Sequence, residues 1–356
     1  MPTLLKKKIF NSLKILLPVL IGFYICWYFW TSFDEKAKVA FIDVFKEANY
    51  FILFISLLIG LFSHLSRAYR WKYMLRPLGV EPSLKNSYNA IMIGYIANMV
   101  VPRMGEASRA AVLKGTDDVP FDKGFGTIVA ERVIDVLCLG IVTGIAVLIN
   151  FDNMDDLLRL AEGIDTASET ATPSTPWIKY SIFGLIGAGF LGFLYLYSKK
   201  PNFKKKFLGF IKGFIDGIKT IFTMKDRWGY LLHTLIIWVC YVTMFWITFY
   251  AWKGTEDMPI DGILSAFIAG TIGFIIVQGG IGTYPLMVGV VLTFFLAPEW
   301  LIDDPTTLEL NDGKTMPAHI GFGALVWATQ TLLIVFLGLL SLGMVQVNKK
   351  KKAKLN

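Results

Sequence analysis

The chain has 356 residues, of which 54% are hydrophobic and only 17% are charged, and its formal net charge is +8. Because soluble domains carry roughly 25% charged residues, this composition excludes an ordinary soluble domain and indicates a polytopic membrane protein. The lysines cluster beside apolar runs, a pattern typical of cytoplasmic flanks facing anionic lipid and not of nucleic-acid binding.

Apolar runs near the length of a bilayer crossing predict about six full spans. Lysine clusters before the first span and after the last place both termini in the cytoplasm, so we expect a multi-pass protein of the plasma (inner) membrane. The acidic residues 150–176 are expected to form an external loop, and residues 199–229 a cytoplasmic interfacial helix. The predicted spans are residues 15–30, 50–65, 121–149, 177–197, 230–252 and 320–345.

Residues 84–114 combine an apolar run with a helix break. Pro102 has no backbone donor and clashes with the preceding turn, so we expect the helix to end there. Arg103, Glu106 and Arg109 follow at i, i+3 and i+6, so they share one face of the next helix. Charges beside a broken helix in so apolar a chain indicate a functional site.

We expect residues 84–114 to form a re-entrant hairpin. If this segment crossed the membrane once, the acidic residues 150–176 would lie in the cytoplasm, which conflicts with their charge. A hairpin that enters and leaves from the cytoplasm removes the conflict. Irregular backbone at membrane depth needs protein or a water-filled cavity around it, so the hairpin implies a cavity. Whether the hairpin crosses fully stays open.

A second broken segment, residues 262–297, resembles the first. Its centre is the glycine-rich run Gln278–Pro285, and Gly270 aligns with Gly94. The flanking charges place this hairpin's entry outside. Two such segments of opposite entry are the pattern of an inverted-topology repeat, in which paired broken helices mark a substrate site near the midplane.

The predicted fold class is all-α: a polytopic helical membrane protein with about six full spans plus two re-entrant or broken hairpins in an inverted-topology repeat. A single transmembrane domain covers residues 1–356. The first repeat is residues 50–149 with hairpin 84–114, and the second is residues 230–345 with hairpin 262–297.

Four motifs follow one another along the chain: Arg67-x-x-Arg70-Trp71, Asn98-x-x-x-Pro102-Arg103-x-Gly105-Glu106-x-x-Arg109, Glu131-Arg132-x-x-Asp135 and Gly279-Gly280-x-Gly282. Together they resemble the lysylphosphatidylglycerol synthase transmembrane (flippase-like) family. The resemblance implies a membrane transporter that moves a phospholipid or a polyprenyl-linked lipid between leaflets. We expect a free-standing member without the aminoacyl-transferase domain, so lipid synthesis is not implied. Many members carry Glu where this chain has Pro285, so no carboxylate role transfers to that position.

Arg103 and Arg109 suit a lipid phosphate, because guanidinium groups make bidentate, charge-assisted hydrogen bonds. Glu106 is expected to orient these arginines or to meet a headgroup amine. The alternative is an ion pair of Glu106 with Arg103 or Arg109 that only stabilises the hairpin. The predicted substrate-binding residues are Asn98, Arg103, Glu106, Arg109, Arg67, Arg70, Glu131, Arg132, Asp135, Gly279, Gly280 and Gly282.

The remaining motifs each fit two interpretations. Arg67 and Arg70 with Trp71 fit an interfacial anchor as well as a binding site. Arg132 and Asp135 fit an intrahelical ion pair at a cytoplasmic helix end as well as a lipid contact. The glycines of the last motif fit a turn with positive φ, or plain helix packing.

No catalytic residue, metal site or cofactor is predicted, because the cysteines and histidines are scattered without ligand spacing. We expect a lipid transporter and not an enzyme, with membrane lipids as its partners and a homo-oligomer left open. The alternative is an integral-membrane transferase acting on a polyprenyl-phosphate or phospholipid, which would need an Asp/Glu pair for a divalent ion. A third interpretation, a membrane partner without transport activity, leaves the charges beside two broken helices unexplained.

Overall fold

The computed structural model describes residues 20–101, 104–150, 197–201, 204–205, 208–209, 223–297 and 315–355. Within these ranges every regular element is helical, and four helices are long and apolar enough to cross a membrane. The predicted all-α, polytopic membrane fold is therefore confirmed.

The helices with described bounds are numbered in chain order. They are α1 (Glu35–Glu47), α2 (Tyr50–Leu75), α3 (Leu84–Val100), α4 (Met104–Asp117), α5 (Phe121–Ile149), α6 (Arg227–Thr248), α7 (Ile260–Ile276), α8 (Thr283–Leu296) and α9 (Thr315–Leu355).

Four of the six predicted spans correspond to the long apolar helices Tyr50–Leu78, Phe121–Ile149, Arg227–Ala251 and Thr315–Val347. The first predicted span is described only from residue 20, and the chain there is helical to residue 32. All but the last residue of the predicted span at residues 177–197, the loop after Asn150 and most of residues 199–222 lie outside the described residues.

Both broken segments form helical hairpins with arms of equal size. The first arms, α3 and α7, have 17 residues each, and the second arms, α4 and α8, have 14. Each first arm ends at a valine in extended conformation, Val101 or Val277. A crossing needs roughly 17–25 helical residues. The second arms are therefore too short to cross as straight helices, and the first arms are at the lower limit.

The two hairpins open at opposite ends of α5. Near the start of α5, Asp117 Oδ1 accepts a hydrogen bond from the Ser83 amide at 3.2 Å, which closes the mouth of the α3–α4 hairpin. At the end of α5, the Asn150 side-chain amide donates to the Asp261 carbonyl at 3.3 Å, at the mouth of the α7–α8 hairpin. The mouths therefore lie at opposite ends of a helix that is long and apolar enough to cross a membrane.

Close packing holds the first hairpin together. A Cβ atom on Gly94 would lie only 2.6 Å from Arg109 Cγ, so α3 approaches α4 too closely for a larger residue. Asn98 Oδ1 accepts a hydrogen bond from the Gly105 amide at 2.6 Å. That bond satisfies an amide at the start of α4, which would otherwise have no partner within its own helix.

The tip of the second hairpin is a glycine turn. Gly279, Gly280 and Gly282 have φ values of 74°, 71° and 74°, in the left-handed region that glycine adopts without steric cost. The Thr283 hydroxyl donates to the Gly273 carbonyl at 2.7 Å and joins the arms. Trp327 of α9 donates to the Gly279 carbonyl at 2.6 Å. The turn also contacts α3, so the two hairpins touch.

Three buried apolar clusters lie among the described residues, and the two larger ones contain most of the helices. The larger one combines side chains of α1, α2 and α6 to α9. The other combines α2, α3, α4 and α5, and includes Trp71, Ala110 and Ile128. This second cluster packs α4 against α2 and α5, which brings charged residues of these three helices together.

Candidate functional site

Four arginines and two carboxylates of α2, α4 and α5 form one cluster. Glu131 and Asp135 are one helical turn apart on α5, so they share a face. Arg67 and Arg70 approach them from α2. The side chains of Arg67, Arg70 and Glu131 expose at most 4% of their surface, so these charges are buried. We call this set the arginine cluster: Arg67, Arg70, Arg109, Glu131, Arg132 and Asp135.

Arg67 and Arg70 each bridge both carboxylates. Arg67 Nη1 donates to Glu131 Oε1 at 2.6 Å and to Asp135 Oδ2 at 3.0 Å. Arg70 Nη2 donates to Glu131 Oε1 at 2.9 Å and to Asp135 Oδ1 at 3.0 Å. Burying an ion costs several kcal/mol unless it is paired and hydrogen-bonded, and this arrangement pairs both carboxylates with two cations each.

Helix α6 supplies two neutral partners. Arg67 Nη2 donates to the Tyr241 hydroxyl at 3.0 Å, and Arg70 Nη1 donates to the Thr234 hydroxyl at 3.2 Å. The sequence interpretation missed both residues. Their partners are more than 160 positions away, and a hydroxyl inside an apolar run is the only signal that the sequence offers.

Arg109 connects the first hairpin to the cluster. Its Nη2 donates to Glu131 Oε2 at 2.9 Å. Its guanidinium lies 4.4 Å from the centre of the Trp71 ring, where the negative face of the indole attracts a cation. Trp71 Nε1 in turn donates to the Thr127 hydroxyl at 2.9 Å. The contact therefore ties α4 to both α2 and α5.

Arg132 differs from the other three arginines. Its side chain is 42% exposed, and its Nη2 lies 3.6 Å from Glu131 Oε1 and 3.7 Å from Asp135 Oδ2. These separations exceed hydrogen-bond distance. Among the described residues the terminal nitrogens of Arg132 therefore have no hydrogen-bonded acceptor, and they can meet one from outside the cluster.

The charges of the cluster do not cancel. Among the described residues the cluster holds four guanidinium groups and two carboxylates, so its cations outnumber its anions by two. An excess of charge away from bulk water is costly, and it is reduced when an anion binds. The arrangement is therefore chemically suited to hold an anionic group beside Arg132.

Both carboxylates of the arginine cluster are fully hydrogen-bonded. Every carboxylate oxygen of Glu131 and Asp135 accepts a hydrogen bond from a guanidinium group. Among the residues that the structure describes, no three His, Cys, Asp or Glu side chains come together as metal ligands. The donor set of the cluster suits an anion and not a divalent cation.

The first hairpin contributes its predicted residues unequally. Arg109 pairs with Glu131 and not with Glu106, the partner considered from the sequence. Glu106 Oε2 is buried and has no hydrogen-bond partner among the described residues. Asn98 caps the start of α4. Arg103 lies outside the described residues.

The structure also shows where the arginine–tryptophan motif and the glycine motif lie. Arg67, Arg70 and Trp71 are 3%, 0% and 0% exposed, so the interpretation as an interfacial anchor is wrong. The described neighbours of Gly279, Gly280 and Gly282 belong to the hairpin itself, to α3, to α9 and to the helix of residues 20–32. The structure therefore does not bring this glycine turn into the arginine cluster.

Known proteins place the chain among membrane proteins. The model of the family described as "Lysylphosphatidylglycerol synthase TM region" matches residues 15–301. The glycosyltransferase AglD of Haloferax volcanii is 24% identical over 285 residues, which is 72% of this chain and 45% of that protein. The UPF0104 membrane protein MJ1595 of Methanocaldococcus jannaschii is 36% identical over 69 residues, 18% of this chain and 20% of that protein. No solved structure matches.

One expectation is corrected by these relatives. We expected the chain not to be an enzyme, but the relative that aligns with 72% of it carries the name of a glycosyltransferase. The chain spans less than half the length of either curated relative. The family description names the transmembrane region of a synthase of lysylphosphatidylglycerol, a membrane lipid. The family model covers most of the sequence, so the chain belongs to the lysylphosphatidylglycerol synthase transmembrane-region family.

Proposed function

We propose that the protein binds a phosphate-bearing membrane lipid, either a polyprenyl-phosphate or a phospholipid, and presents it to a group-transfer reaction. The observation that carries this proposal is the positive excess of the arginine cluster next to Arg132, whose terminal donors are open. Guanidinium groups match phosphate geometry and make charge-assisted hydrogen bonds to it.

The surroundings of the cluster support a lipid rather than a free anion as the ligand. The cluster lies among transmembrane helices, beside a hairpin that α3 and α4 insert between them. A headgroup leaving the aqueous surface loses hydration that lipid tails do not replace. Fixed cations at a partly exposed position such as Arg132 lower that cost.

A transfer reaction is favoured by the name of the relative from Haloferax volcanii, a glycosyltransferase. In this proposal the chain supplies the lipid-acceptor site. The guanidinium groups hold the lipid phosphate, and the hairpin of α3 and α4 keeps the headgroup at the membrane surface, where a water-soluble donor can reach it. The residues that activate the acceptor are not assigned.

Movement of the lipid between leaflets is the second candidate. It is favoured by the two hairpins of matching arm lengths, whose mouths lie at opposite ends of α5. We propose that residues 50–149 and 230–345 form an inverted-topology repeat, the architecture in which many transporters build their substrate sites. From the lysine clusters and the positive-inside rule we propose that the mouth of α3–α4 and both termini are cytoplasmic, and we propose the plasma (inner) membrane as the location.

One reconstitution separates these candidates. The purified protein is placed in liposomes with a fluorescent polyprenyl phosphate and supplied with a panel of radiolabelled nucleotide sugars. Radiolabel in the lipid fraction supports transfer, and loss of fluorescence protection without radiolabel supports movement between leaflets. If neither this lipid nor phosphatidylglycerol binds, moves or reacts, the proposed function is wrong.

A further inference from the structure

A lateral groove on α9 lies apart from the arginine cluster. Its volume is about 670 Å³, and it is lined by the last apolar turns of α9 and by Lys85 at the start of α3. This volume is within the roughly 300–1,000 Å³ found for small-molecule sites. Its occupant can be inferred from its length, its apolar face and its charged end.

The groove matches the depth of one leaflet. It extends along α9 from Phe336 to Val347, and eleven helical steps cover about 16 Å. Half of a hydrocarbon core of roughly 30 Å is about 15 Å. Since the lysine run Lys349–Lys352 begins directly after this apolar stretch in the sequence, and such runs flank membrane spans at the surface, we assign the groove to the last leaflet before the membrane surface.

The wall of the groove is apolar and open. Phe336, Leu339 and Val347 are 61%, 57% and 53% exposed, and their spacing places them on one side of the helix. A Cβ atom on Gly343 would meet none of the described residues within 4 Å, so this residue leaves a notch in the wall. Such a face is complementary to an acyl chain.

The surface end of the groove is cationic. Lys85 lies in the first turn of α3, which contains no acidic residue, and the N-terminal end of a helix already carries partial positive charge. Lys85 forms no ion pair with any described residue. The nearby Asp117 instead accepts a hydrogen bond from the Ser83 amide. The run Lys349–Lys352 follows Val347 closely in the sequence.

We propose that this groove binds a phospholipid with an anionic headgroup, with an acyl chain along α9 and the phosphate at Lys85. The site is distinct from the arginine cluster and does not depend on the proposed function. It belongs to the leaflet in which α9 ends. A zwitterionic lipid has no net charge to match the cationic end, so the site discriminates by headgroup.

The test uses the full-length protein in phosphatidylcholine nanodiscs that contain a trace of phosphatidylglycerol with a photoreactive acyl chain. After illumination, mass spectrometry locates the labelled peptide. We expect labelling within residues 336–347, competition by unlabelled phosphatidylglycerol, and little competition by phosphatidylcholine. Equal competition by both lipids would identify an ordinary annular lipid and overturn the proposal.

Two variants test the two ends of the groove independently. Lys85→Glu removes the cation, and Gly343→Leu fills the notch at a position where an added Cβ atom meets no described atom within 4 Å. Each is expected to lower labelling at least fivefold at an unchanged gel-filtration profile. Lys123→Glu is the matched control, because Lys123 is exposed on α5 and does not line the groove. Labelling that neither Lys85→Glu nor Gly343→Leu reduces would refute the site, whatever lipid the arginine cluster binds.

Discussion

Glu131 holds three of the arginines in the cluster together, because their guanidinium groups all donate hydrogen bonds to its carboxylate. Glu131→Gln removes the charge but keeps the shape, and it leaves buried cations without their counter-ion. Breaking a buried ion pair from one side costs about 3–5 kcal/mol. We expect a clearly lower midpoint of thermal unfolding in detergent for this variant.

The control for Glu131 is Glu81, which pairs with Arg76 at 3.1 Å but exposes 65% of its side chain. Exposed ion pairs contribute about 0–1 kcal/mol, so Glu81→Gln should unfold close to wild type. Equal losses of stability in the two variants would contradict the structural role assigned to the buried carboxylate.

Arg132 carries the binding function in the proposal and little of the stability. It is 42% exposed and lies beyond hydrogen-bond distance from both carboxylates. Arg132→Ala should therefore lower the affinity for polyprenyl phosphate at least fivefold while the unfolding midpoint changes little. Lys114→Ala, at an exposed position of α4, should leave the affinity unchanged. Wild-type affinity in Arg132→Ala would rule out Arg132 as the phosphate-binding residue.

The residue pattern was partly predictable. Helical spacing puts Glu131 with Asp135, and Arg67 with Arg70, on shared faces, and both pairs meet in the cluster. The sequence did not reveal that Arg109 would bond Glu131 rather than Glu106, because that choice depends on how α4 packs against α5. The excess of positive charge in the arginine cluster could not be predicted from the sequence for the same reason, because it arises only when α2, α4 and α5 pack together.

At the level of elements, the first hairpin depends on the contact between Gly94 and Arg109. Gly94→Ala would place a methyl group where Arg109 Cγ lies, and overpacking of this kind costs about 1–3 kcal/mol. The displaced Arg109 would also lose its alignment with Glu131. We expect Gly94→Ala to lower the unfolding midpoint and the affinity for phosphate-bearing lipid together.

Gly126→Ala on α5 provides the comparison. A Cβ atom there meets nothing within 4 Å, and alanine is favoured over glycine within helices by up to about 1 kcal/mol. This variant should unfold at or above the wild-type midpoint. If Gly94→Ala behaved in the same way, the tight packing of the first hairpin would not be needed for stability.

The helix breaks were easier to predict than their partners. Pro102 and the glycines of Gln278–Pro285 predict helix breaks from backbone chemistry alone. The bond from Trp327 to the Gly279 carbonyl joins residues 48 positions apart, and no local pattern contains it. Local chemistry therefore located both tips, whereas tertiary packing determined what each tip touches.

Two independent lines of evidence bear on the orientation of the whole molecule in the membrane. The charge pattern of the sequence predicts entry of the two hairpins from opposite sides. The structure joins the mouth of α3–α4 to the start of α5 and the mouth of α7–α8 to its end. Helices α2 and α6 are hydrogen-bonded to each other at both ends. The Asn49 amide donates to the Ala251 carbonyl at one end, and Arg76 donates to Asp226 at the other, which agrees with two opposite sides of the molecule.

This arrangement is testable by the accessibility of single cysteines. Cys26, Cys138 and Cys240 are first replaced by serine or alanine, and Lys85→Cys or Glu256→Cys is then introduced near one mouth. Both positions are exposed in the structure. With a membrane-impermeant maleimide, Glu256→Cys should be labelled in intact cells, and Lys85→Cys only in inverted vesicles.

The result distinguishes three arrangements of the whole molecule, because each predicts a different pair of outcomes. Opposite labelling supports an inverted repeat with the lysine-rich end, including Lys349–Lys352, in the cytoplasm. Opposite labelling with the sides exchanged would keep the repeat and reverse the orientation. Labelling of both positions from one side would refute the repeat, because α5 separates the two mouths and would then not cross the membrane.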